Sequence, residues 1–381
     1  MRTDCDLLIV GGGLAGLSLA ARLADPAFAG HRIVLLEPRG YYRRDRTWSY
    51  WRLHGHPFES AVARRWDRWR VGGTVRGSAA VPYHSIPADR FYDAALARVA
   101  AAPWIEVRRG TAALALGDLG EVAVAQTTVG TLLAAHAFDG RPPARPPGAL
   151  RQRFLGQEVR TARPAFDPGV VTLMDFLPGG GAGTPPGVHF MYVLPWSSTE
   201  ALVEDTWFVA GEAPLPDHRD AVAAYLRERH GASGFDVLRE ESGDIPLHAV
   251  PDPAAGPRVF AMGTAGGAVK PSSGYAFLAV QRWADRVAAD LAAGRPPRAV
   301  PHRGALSAWM DAVFLERLRR HPRGAAEVFE RLFARCPPEA LARFLGDVPR
   351  PADVLRVALA LPKAPMLATA LLHVPPWRVP A

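Results

Sequence analysis

Cysteine, lysine and long apolar runs are the scarce features of this 381-residue chain. Its two cysteines, Cys5 and Cys336, stand near opposite ends, with no CxxC pair and no metal-ligand spacing. That excludes a disulfide framework and a cysteine zinc site, so no metal is expected and a reducing cytoplasm fits. No run of eighteen apolar residues occurs, so no segment is expected to span a bilayer. The opening residues lead straight into a strand pattern without a cleavable leader, and secretion by that route is not expected. Lysine occurs only as Lys270 and Lys363, so arginine supplies nearly all of the 45 basic residues behind the net charge of +8. With 36 glycines and 36 prolines, that arginine excess fits a coding bias towards G and C. The arginines are scattered, not striped among aromatics, which argues against nucleic acid as a partner. A basic surface still suits anionic lipid headgroups.

What is present is an ordinary globular balance, 49% hydrophobic and 22% charged, with room for one large domain or two. Residues 6–10 (DLLIV) form an apolar run that leads into GGGLAG and then into LSLAARLA, which has helical spacing. A second run, HRIVLLE (31–37), ends in an acid. Gly11, Gly13 and Gly16 occupy the G-x-G-x-x-G positions of a strand–turn–helix unit that binds dinucleotides. The helix amino terminus offers N–H donors to a pyrophosphate, and Glu37 is spaced to accept from an adenosine ribose. This unit alone fits FAD or NAD(P).

A second glycine turn, RVFAMGTAGGAVKPSSGYAF (258–277), precedes a helix predicted from about Gly274 to Leu291. A late strand–turn–helix of this kind, with Gly263, Gly266, Gly267, Pro271 and Gly274, is the pattern by which FAD proteins of the glutathione-reductase class close over the flavin. FAD is therefore the expected cofactor. Between the two ends, the proline-rich segment 137–148 closes the strand HAFD and follows a hairpin-like stretch. The runs VHFMYVLPW and EALVEDTWFVA read as a paired antiparallel hairpin, residues 216–230 as a helix, and the chain from Gly304 onward as helices broken by prolines. The fold class expected is α/β (α+β), a Rossmann-like FAD-binding domain with an inserted antiparallel-sheet domain and a helical tail. The expected division is 1–80 and 81–150 for the first parts of the FAD domain and 151–255 for the substrate sheet. Residues 256–295 form the closing FAD motif and 296–381 the tail.

Taken in order along nearly the whole chain, these motifs resemble the bacterial lycopene β-cyclases. DRTWSYW (45–51), YHSIPADRFY (83–92), FLGQEV (154–159), TLMDF (172–176), FMYVLPWSSTEALVEDT (190–206) and GTAGGAVKPSSGYAF carry the resemblance. Val203-Glu204-Asp205 stands where many members have Leu-Glu-Glu, and Lys270 where others place His. The resemblance implies conversion of the ψ ends of lycopene to β rings, with reduced FAD as the active form, NAD(P)H as its reductant and no net redox change. Glu204 is the implied proton donor, since burial among apolar neighbours keeps a carboxyl protonated. Asp205 is its implied partner, set on the opposite face of a strand. Lys270 is expected beside an anionic flavin, and Trp48, Tyr50 and Trp51 along the substrate path, where aromatic faces stabilise cations. The apolar stretch 354–374 is interrupted by charge and proline, and is expected to lie on a membrane surface without crossing it. Lycopene and related carotenoids, a membrane surface and a cytoplasmic, peripheral location complete the expectation. The rival readings are a flavin monooxygenase or geranylgeranyl-reductase-like enzyme, and a carotenoid-binding flavoprotein without catalysis.

Overall fold

The computed structural model describes residues 2–144, 146–177, 185–232, 234–249, 256–299 and 301–373. The run CDLLIV forms the strand Cys5–Val10, buried on both faces and therefore apolar almost throughout. It pairs in parallel with Ile33–Glu37 on one side and Gly130–Asp139 on the other. Ile105–Arg109 extends this sheet at one edge, and the hairpin Ala113–Asp118/Ala123–Thr127 extends it antiparallel at the other. The short strand Val259–Ala261 pairs in parallel with Gly130–Asp139, which brings the late glycine turn beside the first one. Helix α1 (Leu14–Leu23) leaves the first glycine turn, and α2 (Ala88–Ala100) packs beside it.

A second sheet carries the insertion, in the order Phe235–Pro246, Leu150–Thr161, Glu200–Ala210, Gly187–Pro195, Val171–Phe176, Arg68–Val71, Thr74–Gly77. The expected hairpin is present, with Pro195 opposite Ala201 and Gly187 opposite Val209. Helix α3 (His218–His230) lies on one face of this sheet and starts on an Asp217 cap. Residues 68–77, assigned from sequence to the first FAD-domain piece, belong instead to this sheet. Arg68–Val71 runs parallel to Val171–Phe176, and Trp69 and Val71 are buried in the same core as Phe190 and Phe208. A small third sheet, Thr47–Trp51, Tyr83–Pro87 and Arg64–Trp66, comes from the stretch between the first sheet's strands Ile33–Glu37 and Ile105–Arg109.

Helix α4 (Phe277–Ala292) begins three residues after the predicted start at Gly274, and it closes the first sheet against α1. Gln281 donates to Ser18 Oγ at 2.9 Å across that contact, and Arg22 reaches back to Gln281 at 2.8 Å. The tail is α5 (Ala305–Arg320), α6 (Ala325–Arg335), α7 (Pro338–Leu345), α8 (Pro351–Ala360) and α9 (Lys363–His373). Proline opens α7 and α8, where a missing N–H costs nothing. Phe329 and Phe333 of α6 and Phe344 of α7 turn inward and join the core of the second sheet. The tail is thus a wall of the molecule. The segment 178–187, whose PGGGAGTPPG composition marks a turn cluster, falls mostly outside the described residues, as does Val374 at the end of the apolar tail stretch.

Candidate active site

One cavity of about 850 Å³ runs from the two glycine turns to the tail helices. Gly11, Gly13 and Gly16 face it at one end, and Phe329, Phe333 and Phe344 at the other. Gly11 has a φ of +101°, which a side-chain-bearing residue rarely adopts. A Cβ added at Gly16 would lie 1.9 Å from Gly11 O, so this glycine is needed for packing of the turn. A Cβ at Gly13 would meet no atom within 4 Å, so its surface is open for a ligand to approach the backbone. No side chain caps the amino terminus of α1 or of α4. Gly263, Thr264, Ser273 and Gly274 bring the second turn to the same cavity, where the buried Ser273 hydroxyl has no partner in the protein. Two uncapped helix starts, an open glycine backbone and an orphaned hydroxyl fit a dinucleotide with a flavin at its end.

Several expected contacts fall elsewhere. Gly266, Gly267 and Pro271 do not line the cavity. A Cβ at Gly266 would lie 2.7 Å from Ala261 O, so that residue serves the tight turn itself. Glu37 is buried and also off the cavity. Its carboxylate accepts from Gly12 N–H at 2.8 Å and from the Arg39 backbone and guanidinium at 2.8 and 2.7 Å. Burial opposes its charge, yet the bonds to Arg39 and Gly12 hold it below the usual carboxylate value. In this arrangement Glu37 braces the first turn, and a ribose would have to displace Arg39 to reach it.

Lys270 is the clearest correction. Its side chain is fully buried and off the cavity, with Nζ 3.0 Å from Asp311 on α5 and 2.9 Å from Asp347 after α7, and 4.7 Å above the Phe344 ring. It pins the second glycine turn to the tail, and its ammonium is satisfied there. Tyr50 and Trp51 are corrected too. Tyr50 stacks on Phe277 and bonds His56, while Trp51 packs among Trp69, Tyr83 and Tyr275, so both fill core. Trp48, the third expected aromatic, does line the cavity.

The two adjacent acids part company because a strand alternates its faces. Glu204 points into the cavity and is 7% exposed. Burial, then contact with the carboxyl of Glu241, push its pKa well above the ordinary glutamate value, so it is held neutral. Asp205 is completely buried on the other face and does not reach the cavity. It accepts from His189, which stacks on Trp207, and from His218 of α3 at 2.6 Å. Burial alone would raise its pKa, but the two histidine bonds outweigh that and keep it low. Asp205 therefore fastens α3 to the sheet, and the pairing with Glu204 expected from sequence is not made.

Residues that sequence reasoning missed surround Glu204. In the sheet Tyr192 stands opposite it on one side, Gly156 on the other, and Glu241 beyond Gly156. Tyr83 Oη lies 3.1 Å from Tyr192 Oη and 3.0 Å from Tyr275 Oη, which makes a buried chain of three phenols along the wall. Gly156 carried a signal as a glycine in the middle of a strand pattern, and the three tyrosines lay in motifs of the resemblance without a role assigned to them; Glu241 carried none. The cavity brings a neutral carboxylic acid and aromatic faces together with the two glycine turns.

The model of the family described as "Lycopene cyclase protein" matches residues 6–371. A lycopene beta-cyclase of Paracoccus sp. is 30% identical over 406 aligned residues, covering 97% of both chains. Among solved structures, a geranylgeranyl bacteriochlorophyll reductase-like protein from Thermoplasma acidophilum superposes with a TM-score of 0.65 at 16% identity, covering 96% of this chain and 98% of its own. The flavin-dependent monooxygenase PieE, solved with FAD and substrate, gives a TM-score of 0.57 at 16% identity, covering 97% and 71%. These structural likenesses show a shared fold, the Rossmann-like architecture with an inserted sheet.

Proposed function

The chain belongs to the lycopene cyclase family, and on that premise we propose that it is a lycopene β-cyclase, closing ψ ends to β rings through γ-carotene to β-carotene. The observation that supports this most directly is Glu204, a carboxyl held neutral in the wall of the cavity that the glycine turns and the tail phenylalanines also line.

Lycopene offers an enzyme only alkenes, which are poor bases, so ring closure needs a strong acid in a dry site. The Glu204 O–H bond breaks as its proton joins C2 of a ψ end, leaving a tertiary cation at C1. The C5=C6 pair attacks C1, which bonds C6 to C1 and moves the cation to C5; the C6–H bond then breaks to restore the C5=C6 alkene of the β ring, its proton passing to solvent, from which Glu204 regains one. The reaction is an isomerisation, with no atom gained or lost. Phe329, Phe333 and Phe344 keep water from the chain, and Trp48 and the phenol wall of Tyr192 and Tyr83 present aromatic surface to the cation. Gly13, Gly263, Ser273 and Gly274, with the open start of α1, would hold FAD. When bound and kept reduced by NAD(P)H, FAD would supply an electron-rich ring to the site without net redox change.

The tail supports a route from lipid. Among the described residues no single helix is long and apolar enough to cross a membrane, and α8 and α9 meet at 108°. Val357 of α8 and the following Leu361 line the cavity, while Leu355 and Leu359 of α8 face outward and are more than half exposed. An apolar helix with one side on the cavity and the other on the surface suits an enzyme that rests on a bilayer and draws its substrate from it.

Expression in a lycopene-accumulating bacterium tests the activity. A red-to-orange shift at constant pigment mass is the expected result. Consumption of one NADPH per product, or a change in mass, would support the reductase or oxygenase reading instead. Gly13→Val sets a branched side chain on the turn, and the folded variant is expected to purify colourless; full flavin content would remove FAD from this turn.

A further inference from the structure

A second carboxyl belongs to this site. Glu241 lies in the strand Phe235–Pro246, separated from Glu204 by the strand Leu150–Thr161. The registers set Gly156 opposite both residues, so the three share one row on the cavity face. Any side chain at 156 would stand between the two carboxyls. A Cβ there would lie 2.7 Å from Glu204 Cγ and 3.2 Å from its Oε1. The glycine of FLGQEV is therefore the gap through which the acids meet.

Glu241 does not float in that gap. Its Oε2 accepts from Arg239 Nη1 at 2.5 Å and from Thr47 Oγ1, the threonine of DRTWSYW, at 2.9 Å. Both bonds fall on one oxygen and leave Oε1 as the acceptor open to Glu204. Arg239 is itself fixed by Glu158 at 2.8 Å, and Arg44 reaches Glu158 from the far side. Two motifs that the fold alone does not explain thus converge on this one carboxyl.

Resting on the proton-donor reading of Glu204, we propose that Glu241 is its positioning residue, a clamped carboxylate that meets Glu204 across Gly156 and keeps one proton on the pair. Two carboxyls in contact cannot both ionise cheaply, and Arg239 with Thr47 holds the Glu241 end of the pair in place. The proton stays with Glu204, on the side that faces the cavity. When Glu204 gives it up, the pair carries two negative charges beside the new cation, which stabilises that cation where it forms. The charged and titratable groups facing the pair are Arg239 and Tyr192, with Tyr83 behind Tyr192 and Glu158 and Arg44 behind Arg239.

The test is Glu241→Gln, read two ways on the FAD-loaded protein. Infrared spectroscopy at pH 8 should show a protonated carboxyl band in the parent that is missing from Glu204→Gln. In Glu241→Gln that band should titrate about one pH unit lower or more, because the like charge is gone. The alkaline limb of cyclisation in lycopene-loaded vesicles should move the same way. Gly156→Ala, which drives the acids apart, should shift both in the same direction, and thermal unfolding separates lost coupling from lost stability. If Glu204→Gln is inactive while Glu241→Gln and Gly156→Ala leave the band and the limb where they were, Glu241 is structural only and this inference fails. If Glu204→Gln keeps full activity, the proton-donor reading itself falls.

Discussion

Glu204 and Asp205 are neighbours in one strand, chemically almost alike, and the fold gives them opposite states. Glu204 faces the cavity with another carboxyl across a glycine, and burial beside that carboxyl holds it neutral. Asp205 faces two histidines under α3, and it is charged. The pleat alone separates them. A reactive acid and a structural acid can thus be adjacent in sequence, and their surroundings decide which is which.

The comparison breaks most visibly at Glu204. Glu204→Gln keeps the volume and can donate its amide to Glu241, yet it has no acidic proton to give. Cyclisation should fall by at least ~100-fold, the lower end of what a positioned acid supplies. The same variant should unfold at a higher temperature than the parent at pH 8. The raised pKa means that the folded state holds a proton which the unfolded state has released. Stability from this group is therefore complete below the ordinary glutamate value and declines as pH rises towards the folded one. The gain in melting temperature should close as the pH is lowered to about 4.

Asp205→Asn should do the reverse, losing stability and keeping most of the chemistry. Removing one partner of a buried charged cluster costs about 3 kcal/mol, measurable by denaturant unfolding. Its lowered pKa places the stabilisation above the ordinary aspartate value, to be lost as pH falls through the folded one. The deficit of the variant should therefore narrow in acid. A folded Asp205→Asn protein with cyclisation as weak as Glu204→Gln would erase the distinction between the two acids. Smaller again is His218→Ala, which removes one of the two histidine bonds and should cost about 1–2 kcal/mol. A loss equal to that of Asp205→Asn would mean that His218 carries the whole cluster.

The same contrast explains what was legible in the sequence. The glycine turns, the hairpin of Gly187–Pro195 with Glu200–Ala210, and the run of tail helices follow from local patterns that each element carries itself. Glu204 was legible because it sits in a motif, and its face because strands alternate. Glu241 was not, because its position depends on a register 37 residues away, across a strand whose Gly156 leaves the gap. Lys270 misled for a related reason. Beside a cofactor turn its charge suggests a ligand, but its partners Asp311 and Asp347 arrive with the tail, 41 and 77 residues later. Residues 68–77 likewise join the second sheet through a parallel pairing that no hairpin signal announces.

The central claim is that Glu204 delivers the proton that starts ring closure. Its most direct test is a single turnover of lycopene in deuterated water by FAD-loaded, reduced parent and Glu204→Gln proteins, both shown to bind lycopene. One deuterium per ring, at the carbon derived from C2, is expected in the parent and almost no ring in the variant. Rings formed by Glu204→Gln at the parental rate, or parental rings without that deuterium, would contradict it.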